Sequence, residues 1–301
     1  MFVHRQYTGT TGKVCNCQVG VSLSVATEHQ SMPVDFELYM PEVWANDKAR
    51  RAGCKVPRGL ELRTKPQIAL ELIETALKNG VPRAPVLVDS AYGDVGSFRV
   101  ELDLCELDYV VGVHAPTTVL RPPTMRRRRS KPTVQVRELG RTVGRKAFKR
   151  VCWREGTKKE LASHFYAQRV ELPDDEGAPY RHGRKLWLLI EWPEHEAAPT
   201  KFWLCSMPPR TRLLTLVVLT KTRWIIERDY EDLTGELGLD HFEGRSYTGW
   251  HHHVTMCLAA YAFVLTERGG SFPPSGLLLG GLEVLAPPPQ HLRRRGSGAA
   301  A

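Results

Sequence analysis

The chain has 301 residues, 42% of them hydrophobic, which is enough for one insertion-bearing domain or two domains. Its 42 Lys and Arg residues outnumber 33 Asp and Glu residues, and the resulting net charge of +9 makes polyanions the obvious partners. No apolar run approaches the ~18–20 residues of a membrane span, and the first residues lack the apolar stretch of a signal peptide. We therefore expect a cytoplasmic protein with no membrane segment.

Local patterns in the first part of the chain predict strands that alternate with helices. Alternating polar and apolar residues indicate antiparallel strands, and an uninterrupted β-branched run indicates a strand covered on both faces. A proline start followed by a glycine end marks a helix. We expect strands at residues 16–27, 36–40, 86–89 and 109–113, and helices at residues 66–79 and 96–104.

Asp89 ends the apolar run Val86-Leu87-Val88 and is followed by a small residue and a glycine turn. Open α/β sheets carry their chemistry at strand ends, so Asp89 is a candidate catalytic acid and metal ligand. Asp also commonly caps the element that follows a strand. Its position alone favours neither interpretation.

Glu227 falls in a segment from about residue 211 to residue 233 whose apolar spacing predicts a helix. Arg223 lies one turn earlier, so the two side chains are neighbours on the helix surface. Arg223 could hold a phosphate and Glu227 a metal ion. The spacing by itself favours an ordinary surface ion pair.

Two segments of the chain resemble the DDE insertion-sequence transposases. One is Val86–Asp94, which contains the strand-end acid. The other runs from Arg223 to Arg245, and the following Trp250–His253 resembles the same family's connection between two helices. The resemblance makes both acids candidate catalytic residues.

In that family the glutamate lies in the pattern Tyr, two residues, Arg, three residues, Glu, six residues, Lys. Arg223 and Glu227 fit this pattern, while Thr220 and Thr234 stand at its tyrosine and lysine positions. The threonines at these two positions affect the expected contacts to the transposon end more than they affect the expected metal site.

The resemblance implies an α/β fold with an RNase H-like mixed sheet flanked by helices and a β-rich insertion before the last catalytic helix. It implies a two-metal site, with Mg²⁺ or alternatively Mn²⁺ held by acids that include Asp89 and Glu227. The implied reaction is phosphodiester hydrolysis followed by strand transfer. The implied partners are the DNA of transposon ends and target, with a homodimer compatible with the DNA complex.

Family members have three catalytic acids, the first on a strand upstream of a segment that His4–Lys13 resembles. The sequence begins at Met1, after that strand, so we expect the first Asp to be lacking and cleavage to be impaired. Asp35 is the nearest substitute, but its segment, Pro33–Tyr39, alternates like an ordinary strand of the sheet. We interpret the chain as an N-terminally truncated transposase, or as a reading frame whose start was assigned too far downstream.

Residues 90–226 separate the two acids, which is too long for one loop in a compact domain. Turn residues separate apparent strands at 165–170, 185–191 and 201–205, so a β-rich insertion is expected. We divide the chain into a first part of the catalytic core (1–114), an insertion (115–209), a helical last part of the core (210–268) and a disordered tail (269–301).

The insertion begins with a strongly basic loop, residues 121–159, with fifteen Lys and Arg against two acids. Neutralised phosphates release counterions, so such a loop could contact a DNA backbone. It could also be a solvated flexible loop, and both descriptions can hold. The candidate DNA-binding residues are Arg126, Arg127, Arg128, Arg129, Arg223 and Arg245.

Two other functions stay open at this point. One is a DNA-binding transposase remnant without chemistry. The other is a host metal-dependent nuclease that shares the fold.

Overall fold

The computed structural model describes residues 1–8, 13–27, 30–120, 133–155, 160–173, 184–269, 278–280 and 284–285. The strands are β1 (His4–Thr8), β2 (Lys13–Cys17), β3 (Gly20–Ala26), β4 (Ser31–Leu38), β5 (Val86–Val88), β6 (Tyr109–Val113), β7 (Thr118–Leu120), β8 (Thr133–Gln135), β9 (Lys149–Arg154), β10 (Leu161–Glu171), β11 (Lys185–Trp192), β12 (Lys201–Cys205), β13 (Leu278–Gly280) and β14 (Val284–Leu285). The helices are α1 (Glu42–Ala45), α2 (Lys48–Gly53), α3 (Lys65–Lys78), α4 (Ser90–Gly93), α5 (Gly96–Leu104), α6 (Val136–Val143), α7 (Leu213–Gly235) and α8 (Tyr247–Glu267).

One large mixed sheet organises the described residues. Its order is β14-β3-β13-β5-β6-β12-β11-β10-β7-β8, with β4 on the outer side of β3 and β9 beside β10. β5 is parallel to both β13 and β6, and the other pairings are antiparallel. The fold class expected from the sequence, a mixed α/β sheet flanked by helices, is confirmed.

Helices pack on both faces of the sheet. Because successive residues of a strand point to opposite faces, one strand contributes side chains to both cores. Val86 and Val88 of β5 belong to a core that includes Ile68 and Leu72 of α3 and residues of α5. Leu87, between them, packs in a second core with α7. β5 is therefore buried on both faces, as its unbroken apolar run predicts. No helix in the described ranges is both long and apolar enough to cross a membrane.

The insertion continues the main sheet instead of forming a separate one. β12 pairs with β6 along Phe202–Cys205, and β11 and β10 follow outward. Strands were expected at 165–170, 185–191 and 201–205, and β10, β11 and β12 include these residues. The division of the chain into a core and an insertion stays a prediction, since the insertion's strands share the core's hydrogen-bond ladder.

The C-terminal segment differs from the disordered tail expected over residues 269–301. Leu278–Gly280 and Val284–Leu285 are strands, and β13 lies between β3 and β5. For these residues the expectation is wrong, because two leucines find buried contacts that local composition does not reveal. The sequence analysis expected the core to lack its first strand. In the structure β13, which comes from the C-terminal part of the chain, lies between β3 and β5.

A buried carboxyl ties α7 to β4 and α8. Asp229 of α7 accepts hydrogen bonds from the hydroxyls of Ser31 on β4 and Tyr261 on α8, the latter at 2.8 Å. Burial raises the pKa of Asp229 to about 6, although the two hydroxyl donors act in the opposite direction. The folded protein therefore favours the protonated carboxyl, and ionisation at higher pH costs stability.

Replacing Asp229 with asparagine is expected to flatten the pH dependence of stability. Its contribution is fully present below the ordinary pKa of 3.8 and is lost as pH rises through about 6, by about 3 kcal/mol at most. Urea unfolding from pH 4 to pH 8 would compare wild type with Asp229→Asn. The control is Glu236→Gln, which replaces an exposed acid at the C-terminal end of the same helix. Parallel pH profiles for wild type and Asp229→Asn would contradict the assignment.

Candidate active site

Asp89 stands where β5 ends and α4 begins. Its side chain caps α4 by accepting a hydrogen bond from Ala91 N at 2.9 Å. Lys65, at the start of α3, lies close enough for the Asp89 carboxylate to raise the pKa of its ammonium group, although burial has the larger effect and lowers that pKa. Burial, followed by the charge of Asp89, raises the pKa of the Tyr92 hydroxyl, for which the described residues offer no hydrogen-bond partner. The helix-cap interpretation of Asp89 is thus confirmed, and it does not conflict with a catalytic one.

Two glycines allow the α4 turn to lie directly on β6. A Cβ atom on Gly93 would overlap the carbonyl oxygen of Gly112, and one on Gly112 would lie 3.0 Å from Ser90 N. Arg99 donates a side-chain hydrogen bond to the Gly93 carbonyl from within the core. The position of Asp89 relative to β6 therefore depends on this close backbone approach.

A second polar cluster forms beside Asp89 at the neighbouring strand end. His114 follows β6, and its Nδ1 contacts the Asp94 carboxylate. Asp94 also accepts from His114 N at 3.2 Å and from Thr117 Oγ1 at 2.9 Å. The His114 Nε2 atom lies 3.3 Å from Ser90 Oγ. This arrangement fixes an exposed imidazole next to the strand-end acid.

The sequence interpretation missed this cluster, although a signal for it was available. His114 directly follows the predicted strand 109–113, as Asp89 follows the strand of residues 86–88. Carboxyl ends of adjacent parallel strands meet at one edge of a sheet. Applying the strand-end rule to both strands would have placed His114 beside Asp89.

Glu227 lies on the exposed side of α7 and forms an ion pair with Arg223, with a distance of 2.6 Å between Nη2 and Oε1. The surface ion pair that the spacing favours is therefore present. On the buried side of the same helix, the Tyr230 hydroxyl bonds Ser22 of β3. The charge of Tyr230 also contributes to the raised pKa of Tyr92, after burial and Asp89. Tyr230, three residues after Glu227, thus ties α7 to β3.

The described residues contain no cluster of three or more His, Cys, Asp or Glu side chains that could hold a metal ion. Asp35 lies on β4 opposite Leu23, and its carboxylate accepts a hydrogen bond from Phe36 N at 2.8 Å. Burial raises the pKa of Asp35, which disfavours its charged form. The carboxylates that the structure describes suit a hard cation but do not make up a complete two-metal site.

A basic and aromatic cavity of about 300 Å³ lies between β9 and α7. Arg154 of β9 stacks over the Trp224 ring with its guanidinium carbon 4.1 Å from the ring centre. Arg228 approaches the same ring from α7, at 5.5 Å. Lys221 lies deeper and pairs with Glu191 at 2.8 Å. We name this feature the Trp224 cavity; its cations and aromatic faces are groups that bind polyanions and bases.

The other candidate DNA-binding residues fall in two places. Arg126, Arg127, Arg128 and Arg129 lie outside the residues that the structure describes. Arg245 is exposed in the connection between α7 and α8. The guanidinium of Arg223 is paired with the Glu227 carboxylate, so a DNA phosphate would compete with that carboxylate for Arg223.

Comparison with known proteins identifies the family of this chain. A family model described as "DDE superfamily endonuclease" matches residues 1–160, which is more than half of the chain. The chain belongs to the DDE superfamily endonucleases. It is also 33% identical over 115 residues to a "Probable transposase for insertion sequence element IS701" of Microchaete diplosiphon, an alignment that covers 38% of this chain and 27% of that relative. The matched part is thus about a quarter of the relative's length.

Membership in the DDE endonucleases confirms the resemblance stated from the sequence and makes the chain an enzyme of nuclease type by family. The family generally uses divalent metal ions. The matched residues include Asp89 and the polar cluster around Asp94 and His114, while Glu227 lies beyond them.

Proposed function

We propose that this DDE endonuclease is the transposase of a DNA insertion sequence, which cuts transposon ends and joins them to target DNA. The observation that carries the proposal is Asp89, an acid at the end of a buried central strand within the family match. The similarity to a probable insertion-sequence transposase supports the substrate class. The net charge of +9 suits a DNA partner.

In this proposal Asp89 and Glu227 are the metal ligands. Their carboxylate oxygens are the donors that Mg²⁺ prefers, and Mn²⁺ accepts the same donors. When bound, the metal would activate a water or a 3′-hydroxyl and stabilise the leaving oxygen. The chain's own residues orient the site: Ala91 N holds the Asp89 carboxylate, and Arg223 holds that of Glu227.

We further propose that DNA cleavage by this chain is weak. The family motifs identify two acids, Asp89 and Glu227, where three are expected. Loss of one ligand from a two-metal site removes charge stabilisation worth several kcal/mol in the transition state. DNA binding does not depend on this ligand set and should be retained.

The Trp224 cavity and the basic loop are proposed as parts of one DNA-binding surface. Arg154 and Arg228 present cations at the cavity, and Arg223 lies on the same helix. Cations at several points along a surface neutralise successive phosphates. Assembly of a homodimer on DNA would agree with this function, and its test is the stoichiometry of the complex.

Substitution of either acid is expected to weaken Mn²⁺ binding at least about tenfold. Asp89→Asn and Glu227→Gln each remove one charged oxygen donor, which can be followed by titration with the paramagnetic ion or by calorimetry. Glu231→Gln, one turn further along the exposed side of α7, is the matched control and should bind Mn²⁺ like wild type. Asp35→Asn should also have no effect.

The result would also separate the proposed transposase from its nearest alternative. A non-catalytic DNA-binding remnant would bind DNA in a salt-dependent way while neither Asp89→Asn nor Glu227→Gln changed Mn²⁺ binding. Equal Mn²⁺ affinity for wild type and both variants would therefore reject the metal-site assignment. Loss of binding in Asp35→Asn would instead assign Asp35 to the site.

A further inference from the structure

Helix α8, which the structure describes in full, has a long exposed face that lacks charged residues. From Tyr247 to Thr266 the sequence contains no Asp, Glu, Lys or Arg. The exposed residues of this stretch are Thr248, His252, Thr255, Met256, Ala259, Ala260, Phe263 and Thr266. The exposed residues of α3, by contrast, include Glu71, Glu74 and Lys78. Because a surface helix normally carries charged residues on the side away from the core, α8 has the composition of a helix that is covered on both sides.

Two stripes of side chains run along opposite sides of α8. The buried residues, which pack in one core, are Trp250, Val254, Cys257 and Tyr261. Met256 and Phe263 are 58% and 66% exposed, and each follows a buried residue by two positions, which is about 200° around the helix axis. The exposed residues on that far side are named the outer stripe: His252, Met256, Ala259, Ala260, Phe263 and Glu267. The outer stripe therefore makes no contribution to the core.

The outer stripe has the spacing of a contact between two helices. His252, Met256, Ala259 and Phe263 are separated by four, three and four residues, as are successive contact positions in paired helices. The middle of the stripe is Ala259 and Ala260, and small side chains at a crossing allow two helices to approach closely. A larger apolar side chain lies on either side of the two alanines. The outer stripe is thus suited to a second helix.

The outer stripe is complementary to its own reverse. A two-fold axis between Ala259 and Ala260 places Met256 opposite Phe263 of a second, antiparallel copy. The same axis places His252 opposite Glu267 of that copy, and an imidazole can donate a hydrogen bond to a carboxylate. Each contact occurs twice, as in any interface in which two copies use the same surface. Both the apolar centre and the polar ends of the stripe therefore match a second copy of this helix.

We infer that the outer stripe is a dimer interface, occupied by the outer stripe of a second copy in antiparallel orientation. The apolar centre provides the burial, and the pairing of His252 with Glu267 at both ends fixes the register. A parallel arrangement would place Glu267 beside Glu267 of the other copy, and like charges oppose such pairing. The dimer forms without DNA, so the inference does not depend on the proposed transposase function.

Sedimentation of the full chain without DNA tests for this dimer. From about 1 to about 100 μM protein, the range in which a small interface dissociates, the mass should rise from monomer towards dimer. Phe263→Glu should raise the dissociation constant at least about tenfold, because it removes apolar burial and places a charge opposite Met256. Leu104→Glu, at a position of α5 that is 69% exposed, is the control and should leave the constant unchanged. A wild-type monomer at every concentration, or equal effects of the two variants, would overturn the inference.

Exchange of the two end charges tests the antiparallel register. His252→Glu and Glu267→Lys should each weaken the dimer roughly fivefold, since each places like charges opposite one another at both ends. The double variant should dimerise like wild type, because opposite charges again face each other. Within one chain these side chains lie about 22 Å apart along the helix, so recovery requires a contact between copies. A double variant no better than the single ones would refute the antiparallel register.

Melting temperatures distinguish a second copy from a cover supplied by the same chain. A dimer makes the wild-type melting temperature rise with protein concentration. Phe263→Glu should abolish this rise and leave the melting temperature of dilute protein unchanged, because the residue is exposed in the monomer. A melting temperature that Phe263→Glu lowers equally at all concentrations would assign the outer stripe to an intramolecular contact and overturn the inference.

Discussion

Replacing Gly93 with alanine is expected to destabilise the protein by about 3 kcal/mol or more, the cost of forcing an added atom into a tightly packed interior. The new Cβ would overlap the carbonyl oxygen of Gly112 and lie 3.0 Å from the Val111 Cβ. Neither neighbour can move easily, since both belong to β6 in the centre of the sheet. The α4 turn would have to lift away, and the Asp89 cap with it.

Urea denaturation would measure this loss, and Gly53→Ala gives the matched control. Gly53 is also a helical glycine, but a Cβ there would meet no atom within 4 Å. Its replacement should leave stability unchanged or raise it slightly, because alanine reduces the freedom of the unfolded chain. Similar midpoints for Gly93→Ala and wild type would show that the α4 turn does not lie against β6 as described.

Local patterns were sufficient to predict most elements of the core. The helix predicted at residues 96–104 is α5, and the strand predicted at residues 109–113 is β6, with the same bounds. Helix α3 was predicted at 66–79 and spans Lys65–Lys78. These predictions succeed because periodicity and end signals act over a few residues and are supported by burial of the predicted faces.

Long-range pairing could not be predicted in the same way. Leu278 and Leu279 sit among glycines and prolines, a composition that predicts a tail. Their burial depends on a groove formed by β3 and β5, more than 190 residues earlier in the sequence. Similarly, the join between β12 and β6 makes the insertion part of the main sheet, although turn signals alone suggested a separate unit.

The candidate site shows why structural and functional interpretations of one residue need not compete. Asp89 caps a helix, which is one of the two interpretations that its position left open, and Glu227 pairs with Arg223, as their spacing predicted. A cap holds a carboxylate in a fixed direction, and an ion pair keeps one charged. Both properties suit a metal ligand, so these contacts leave the proposed roles to be decided by Mn²⁺ binding.

DNA affinity is expected to fall steeply with salt, and replacement of Arg126 to Arg129 with alanine should remove much of that dependence. If all four arginines neutralise phosphates, the slope of log affinity against log salt should decrease in magnitude by about 3.6, from about 0.9 per phosphate. Between 50 and 200 mM salt this corresponds to roughly a hundredfold smaller loss of affinity. Fluorescence anisotropy with a labelled duplex would measure both slopes.

The control must remove the same charge elsewhere, because a lower net charge alone weakens long-range attraction to DNA. Four exposed cations outside the basic loop and the Trp224 cavity serve this purpose: Lys48, Lys55, Arg58 and Lys78. Replacing them with alanine should reduce the association rate somewhat and leave the salt slope almost unchanged, since phosphate contacts set the slope. Equal slopes for the loop variant and wild type would make the arginine run a bystander. An equal decrease in both variants would assign the effect to net charge and leave the Trp224 cavity as the better candidate for the phosphate contacts.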